Sequence, residues 1–111
     1  MGKPAQQLTK AVRDYLTAKG WFVWKGGGGA MKIGTRFIRW GTNGAPDLFA
    51  LQKQVYECFA GPYYETALLG LEIKAGKDIQ SNAQKVFQED FEAHGGTYII
   101  VRKTEDLDEY I

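Results

Sequence analysis

The residues of this chain that could do chemistry lie in two short stretches, around Asp47 and around Glu72 and Lys74. Glu72 and Lys74 close the apolar run 68–74, whose length favours a central β-strand over a helix. Side chains alternate along a strand, so residues two positions apart point to the same face. Burying an ionised glutamate and lysine is costly unless they are paired or bind a metal. The Glu-x-Lys pattern therefore calls for a functional explanation.

Asp47 opens residues 47–51, which are predicted as a neighbouring strand, so it could bring a second carboxylate to Glu72 and Lys74. Two carboxylates with a backbone carbonyl form a hard oxygen site of the kind that Mg²⁺ or Mn²⁺ prefers. Such a metal lowers the pKa of a bound water and neutralises charge on a phosphate, while the Lys74 ammonium could orient the attacking water. Taken singly, an aspartate such as Asp47 more often begins a turn or strand, and a pair such as Glu72 and Lys74 is usually an ion pair at a strand end. Their combination favours a hydrolytic metal site.

Hydrophobic periodicity predicts the elements that must position these residues. They are a helix over 4–19, strands over 21–24, 35–40, 47–51 and 68–74, a helix over 81–94, a strand over 97–101 and a helical turn over 105–110. Residues 26–29 are four glycines and are expected to form a loop. Residues 52–66 contain Gly61-Pro62 and are expected to be an irregular connection. The predicted fold class is α/β, one αβββαβ domain over residues 1–111 with a mixed sheet flanked by helices.

Composition limits the remaining possibilities. The chain has 111 residues, of which 44 % are hydrophobic, and a net charge of +1, as expected for one packed domain. Cys58 is the only cysteine, which excludes an internal disulfide and a zinc cluster of several cysteines. No apolar run approaches the roughly 18 residues that span a bilayer, and the first residues have no apolar signal core. We expect a cytoplasmic protein that makes no use of a membrane.

Four segments of the sequence resemble a known nuclease family. Ala45-Pro46-Asp47 followed by Glu72-Ile73-Lys74 is similar to the PD-(D/E)XK nuclease signature. The further matches point to its VRR-Nuc group, and the resemblance extends over nearly the whole chain. They are residues 44–48, residues 71–74, Ser81-x-x-Gln84, and Val101-Arg102-Lys103 where the name motif of the group has Val-Arg-Arg. The resemblance implies a restriction-endonuclease-like fold.

The same resemblance implies roles for individual residues. Asp47 and Glu72 would bind the metal together with the carbonyl of Ile73, Lys74 would assist the water, and Gln84 would complete the site. From the residues alone, Ser81 and Gln84 also form a capping box, so a helix-capping role for Gln84 stays open. Where the family commonly has a glutamate in the first helix, this chain has Gln6 and Gln7, which leaves a third acidic ligand without a clear candidate.

The substrate follows from the resemblance as well. Resemblance to stand-alone VRR-Nuc proteins implies a homodimeric, Mg²⁺- or Mn²⁺-dependent endonuclease of branched DNA, including four-way (Holliday) junctions. Period-two alternation is expected to place Arg36 and Arg39 on one face of their strand as a phosphate surface. Arg102 and Lys103 are further candidate DNA contacts, although all four residues are equally explained as solvated charges. Two alternatives stay open: a non-catalytic DNA-binding module, and a nuclease of linear DNA ends.

Overall fold

A four-stranded mixed sheet with two helices forms the centre of the molecule in the computed structural model, which describes residues 3–27 and 29–111. The elements in chain order are α1 (Lys3–Ala18), β1 (Phe22–Lys25), β2 (Gly29–Ile33), β3 (Arg36–Trp40), β4 (Leu48–Tyr56), β5 (Tyr63–Ile73), α2 (Asn82–Ala93), β6 (Thr97–Val101) and the 3-10 helix η1 (Thr104–Leu107). The sheet order is β1-β4-β5-β6. β1, β4 and β5 are antiparallel, and β6 lies parallel to β5 after the crossover through α2. The predicted α/β class is confirmed.

The face of the sheet that carries α1, here called the α1 face, holds the hydrophobic core. Val12 and Leu16 of α1 are fully buried there, because the apolar residues of this helix recur at three-and-four spacing. The sheet contributes the alternate residues of β4, β5 and β6. These are Leu48, Ala50, Leu69, Leu71, Ile73, Ile99 and Val101, and Leu107 of η1 closes the cluster. Each large side chain buried here stabilises the fold by about 1.5–3 kcal/mol.

The opposite face, here called the α2 face, is covered less completely. A chain of ring contacts runs from Phe22 and Trp24 through Phe49 to Phe91 and Phe87 of α2, with centroid separations of 5.5 to 6.0 Å. α2 has no fully buried residue. Its inner side chains are half-buried, so this layer is open to solvent along its margins.

Two expectations about the strands are wrong. β2 was not predicted, yet it begins within the glycine run and pairs with β3 as a separate two-stranded sheet. Residues 52–66 are not an irregular connection, because β4 and β5 stay paired as far as Tyr56 and Tyr63. Gly61 and Pro62 lie in the turn between them. The paired strands run beyond the sheet as an arm, and the molecule measures 62 × 27 × 22 Å.

The expectation that Arg36 and Arg39 share one face involves the side chain of Arg39, which lies outside the described residues. β2 and β3 form a regular antiparallel ladder in which Arg36 lies opposite Ile33 and Arg39 opposite Ala30. Strand positions three residues apart fall on opposite faces, since the side-chain period is two.

Within the described residues no helix has the length and apolar character needed to cross a membrane.

Candidate active site

Asp47 and Glu72 face each other across the β4–β5 ladder. Asp47 immediately precedes β4, and Leu48 pairs with Leu71. The same register, continued by one residue, sets Asp47 opposite Glu72. Directly opposed residues of antiparallel strands point to the same face. Both carboxylates therefore lie on the α2 face, at the end of the sheet where β4 begins.

Asp47 is held in place by backbone groups. Its Oδ2 accepts a hydrogen bond of 2.8 Å from the N–H of Ile73, and its own carbonyl oxygen accepts one of 2.8 Å from the N–H of Gly26. The N–H and C=O of one strand residue leave the strand on the same side. The carbonyl of Ile73 is therefore directed toward the side of the strand on which Asp47 lies.

Glu72 is the one charged residue that is buried in the described part of the chain, with 3 % of its surface exposed. The Nζ of Lys74 lies 3.9 Å from its Oε1, and the Lys74 side chain is 13 % exposed. The N–H of Lys74 donates to the carbonyl of Val101 at 3.0 Å, so the extended backbone continues beyond β5. Two-residue spacing thus places the ammonium beside the carboxylate, as the Glu-x-Lys pattern predicted.

The side chain of Gln84 makes two contacts, one with Glu72 and one with the start of α2. Its Nε2 donates to Oε1 of Glu72 at 2.8 Å, and its Oε1 accepts the N–H of Ser81 at 2.8 Å. The Ser81 Oγ in turn accepts the N–H of Gln84 at 3.2 Å, which completes a capping box at the start of α2. One amide group therefore caps the helix and orients the glutamate.

Tyr98 is a site residue that the sequence analysis missed. Its hydroxyl donates to Oε2 of Glu72 at 3.3 Å, so each oxygen of Glu72 has a donor. β6 brings it there, because Gly70 pairs with Tyr98 and Glu72 with the residue two further on. Burial is the main cause that raises the pKa of Tyr98 to about 12, which keeps the hydroxyl protonated as a donor. In the sequence Tyr98 is one more aromatic residue in an apolar strand.

The electrostatics of the pair are unfavourable without a cation. Burial, the negative charge of Asp47 and hydrogen bonding with Asp47, in that order of size, together raise the pKa of Glu72 from 4.5 to about 7. The charge of Lys74 and the Tyr98 hydroxyl oppose this shift and do not cancel it. A positive charge placed between the two carboxylates would relieve these causes.

Two glycines allow the loops around Asp47 to approach this closely. Gly44 has φ +81°, a conformation that L side chains rarely adopt, and a Cβ there would overlap the carbonyl of Ala83 at the start of α2. A Cβ on Gly26 would lie 2.6 Å from the carbonyl oxygen of Pro46 and 2.7 Å from the ring of Phe49. Both glycines pack the segment before Asp47 against its neighbours.

The remaining predicted residues lie outside this cluster. Arg102 donates from Nη1 to the carbonyl of Gly76 at 3.0 Å and from Nη2 to that of Asp78 at 2.7 Å, so it holds the loop after Lys74. Lys103 is exposed, and Arg36 is exposed on the β2–β3 hairpin. The side chain of Arg39 lies outside the described residues. Gln6 and Gln7 are exposed on α1, which covers the other face of the sheet.

The donor set fits a hard divalent cation. The described residues contain no group of three or more histidine, cysteine or acidic side chains that could hold a metal ion. Asp47, Glu72 and the Ile73 carbonyl supply three oxygen donors, and Mg²⁺ or Mn²⁺ commonly takes few protein ligands and keeps several waters. The burial of Glu72 directly opposite Asp47 is the observation that favours this fit.

Comparison of the chain with protein-family models, with curated proteins and with solved structures finds no match. The chemistry of the chain is therefore argued from the site itself: two opposed carboxylates, one ammonium and one amide at the end of a mixed sheet.

Proposed function

We propose that this protein is a Mg²⁺- or Mn²⁺-dependent endonuclease that hydrolyses phosphodiester bonds in DNA. The observation that carries the proposal is the buried Glu72, opposed to Asp47, with the Lys74 ammonium 3.9 Å from its carboxylate. A buried charge of this kind is costly to the fold unless it has a partner or a use. Sites with perturbed carboxylates, an ammonium and a hard oxygen donor set are typical of metal-assisted hydrolysis.

Asp47, Glu72 and the Ile73 carbonyl would hold the cation. When bound, such a cation lowers the pKa of water and offsets the negative charge of the phosphate. Lys74 is near enough to Glu72 to orient a water by hydrogen bonding and to stabilise charge that grows on the phosphate oxygens. Gln84 and Tyr98 each fix one oxygen of Glu72, so its carboxylate keeps one orientation.

The topology supports a nuclease of the VRR-Nuc type. The elements of the main sheet follow the order α1, β1, β4, β5, α2, β6, with the β2–β3 hairpin inserted before β4. We propose that this order represents an αβββαβ, restriction-endonuclease-like fold of the kind that the motif resemblance implies. From the same resemblance we propose a cytoplasmic homodimer that acts on branched DNA such as four-way junctions, since two sites related by a two-fold axis could cut two strands.

The test is to incubate the purified protein with linear duplex, flap and four-way-junction DNA in the presence of Mg²⁺, Mn²⁺ or a chelator. We expect metal-dependent cleavage that is strongest on the junction. Asp47→Asn and Lys74→Ala are expected to lower the cleavage rate by about a thousandfold or more, as losses of transition-state charge stabilisation commonly do. Both variants should retain the fold and bind DNA.

Matched controls are Asp14→Asn and Lys10→Ala, which make the same chemical changes at an exposed ion pair on α1. They should cut at the wild-type rate. Cleavage of linear ends alone would replace the junction assignment. Binding without cleavage under every metal condition would indicate a DNA-binding module and refute the hydrolytic proposal.

A further inference from the structure

The basic residues of this chain are segregated from the acidic ones. Residues 15–46 contain five lysines and arginines and no acidic residue, whereas the rest of the chain has nine basic and thirteen acidic residues. This segment includes β1 and the whole β2–β3 hairpin. The net charge of +1 is therefore the sum of a strongly basic segment, residues 15–46, and an acidic remainder.

The cations of this element are available for a ligand. Lys25, Lys32 and Arg36 are exposed. The salt bridges found in the described part of the chain are Lys10–Asp14 and Lys74–Glu72, so none of these three side chains is engaged in one. Contact with a phosphate would not require an existing ion pair to break.

Both connections of the hairpin to the sheet lead to the candidate active site. The first follows Lys25, which pairs with Leu48 next to Asp47, and Gly26 donates its N–H to the Asp47 carbonyl. The second, residues 41–46, ends at Asp47 and includes Gly44, which packs on the start of α2. The hairpin has five residue pairs. At about 3.3 Å per residue it reaches roughly 17 Å, which is about half a turn of duplex DNA.

We propose that the β2–β3 hairpin holds the phosphate backbone of the DNA beside the hydrolytic site; the assignment rests on the proposed nuclease function. Lys32 pairs with Phe37, the neighbour of Arg36, so Lys32 and Arg36 lie on opposite faces of the ladder. They contact phosphates on the two sides of a groove wide enough for a two-stranded ribbon, and these contacts carry no sequence information. The task of the hairpin is to retain the duplex, whereas Asp47, Glu72 and Lys74 act on the bond. Loss of its charges therefore weakens DNA binding and leaves turnover of bound DNA unchanged.

The experiment compares the double variant Lys32→Glu/Arg36→Glu with Lys10→Glu/Arg13→Glu, which lowers the net charge equally at exposed positions on α1. Binding of fluorescent duplex and junction DNA is measured in chelator at several salt concentrations, and cleavage is measured at saturating DNA. We expect the hairpin variant to bind about tenfold or more weakly, with a salt slope smaller by about two, and to cleave saturating DNA at the wild-type rate. The α1 variant should bind within about twofold of wild type.

Equal binding by wild type and hairpin variant, or equal losses in both variants, would overturn the assignment. So would a change in oligomeric state at unchanged DNA affinity, which would mean that the hairpin binds the acidic C-terminal segment of a second copy. The two proposals can fail separately. If the wild type cuts no DNA and only the hairpin variant loses DNA binding, the nuclease proposal fails and the hairpin assignment stands. If the wild type cuts DNA and the hairpin variant binds DNA normally, the nuclease proposal stands and the hairpin assignment fails.

Discussion

The two faces of the four-stranded sheet differ in the side chains that they bury. The α1 face holds apolar side chains such as Leu71 and Val101 that are fully buried against α1 and η1. The α2 face holds half-buried aromatic rings and, beside them, the buried carboxylate of Glu72. Adjacent residues of β5 therefore have opposite effects: burial of Leu71 stabilises the fold, and burial of the Glu72 carboxylate destabilises it. A strand that alternates its side chains can keep stability and chemistry apart at single-residue resolution.

Removal of an apolar side chain should cost more stability on the α1 face than on the α2 face. Leu71→Ala on the α1 face should lower the free energy of unfolding by roughly 3–5 kcal/mol, because it leaves a cavity in a fully buried cluster. Phe87→Ala on the α2 face should cost only about 1–2 kcal/mol, since that ring is half-buried and its surroundings can relax. Urea unfolding in chelator measures both values. If the two losses were equal, the α2 layer would be as much a part of the core as the α1 layer.

A second effect concerns the cost of Glu72. Its pKa in the folded protein, about 7, lies above the ordinary value of 4.5, so the folded state binds the proton more tightly than the unfolded state. The metal-free protein is therefore free of this penalty below pH 4.5 and loses stability as the pH rises toward and through 7. Glu72→Gln removes the titration, and at pH 8 it should be more stable than wild type by about 3 kcal/mol while it is inactive.

Unfolding of wild type and Glu72→Gln, followed from pH 4 to 9 in chelator, isolates this contribution from all other titrating groups. Addition of Mn²⁺ should then raise the melting temperature of wild type and leave that of Glu72→Gln nearly unchanged. A constant stability difference between the two proteins across this pH range would show that Glu72 is not destabilised by burial and by Asp47.

Two tyrosines, one on each side of the sheet, donate hydrogen bonds to carboxylates and form a matched pair. Tyr98→Phe on the α2 face removes the donor to Oε2 of Glu72, which lowers the pKa of Glu72 in the wild type. The variant should need a higher pH for half-maximal cleavage, losing roughly 1 kcal/mol of transition-state stabilisation at pH 7 and recovering at pH 8.5. Tyr15→Phe removes a hydroxyl that donates to Asp108 on the α1 side, and its pH profile should not move. A shift of both profiles, or of neither, would refute a positioning role for Tyr98.

Local patterns in the sequence predicted the helices and the main strands. They also predicted that Asp47, Glu72 and Lys74 lie together, and this prediction needed only two rules about neighbouring residues and neighbouring strands. Alternation puts Glu72 and Lys74 on one side, and consecutive strands commonly pair. The extension of β4 and β5 beyond the sheet was missed because Gly61 and Pro62 interrupt the pattern, although they occupy only the turn. β2 was missed because it starts at a glycine, a residue type that is depleted in strands.

The sequence did not predict the contact between Tyr98 and Glu72. Tyr98 reaches Glu72 only through the parallel register of β5 and β6, which a turn does not set and which no short pattern reveals. For Gln84 the sequence posed a choice between capping and the site, whereas one amide has separate donor and acceptor ends and can do both.

The double engagement of Gln84 has a consequence for how relatives of this protein should be compared. In a lineage without the proposed activity, Lys74 would be lost together with Glu72, because the ammonium then only offsets the charge of that buried carboxylate. Such a lineage would keep the glutamine, because the first turn of α2 still needs its carbonyl oxygen. On the proposed function, a glutamine at this position would therefore mark ancestry, while the buried glutamate with the lysine two residues after it would mark the chains that keep the activity.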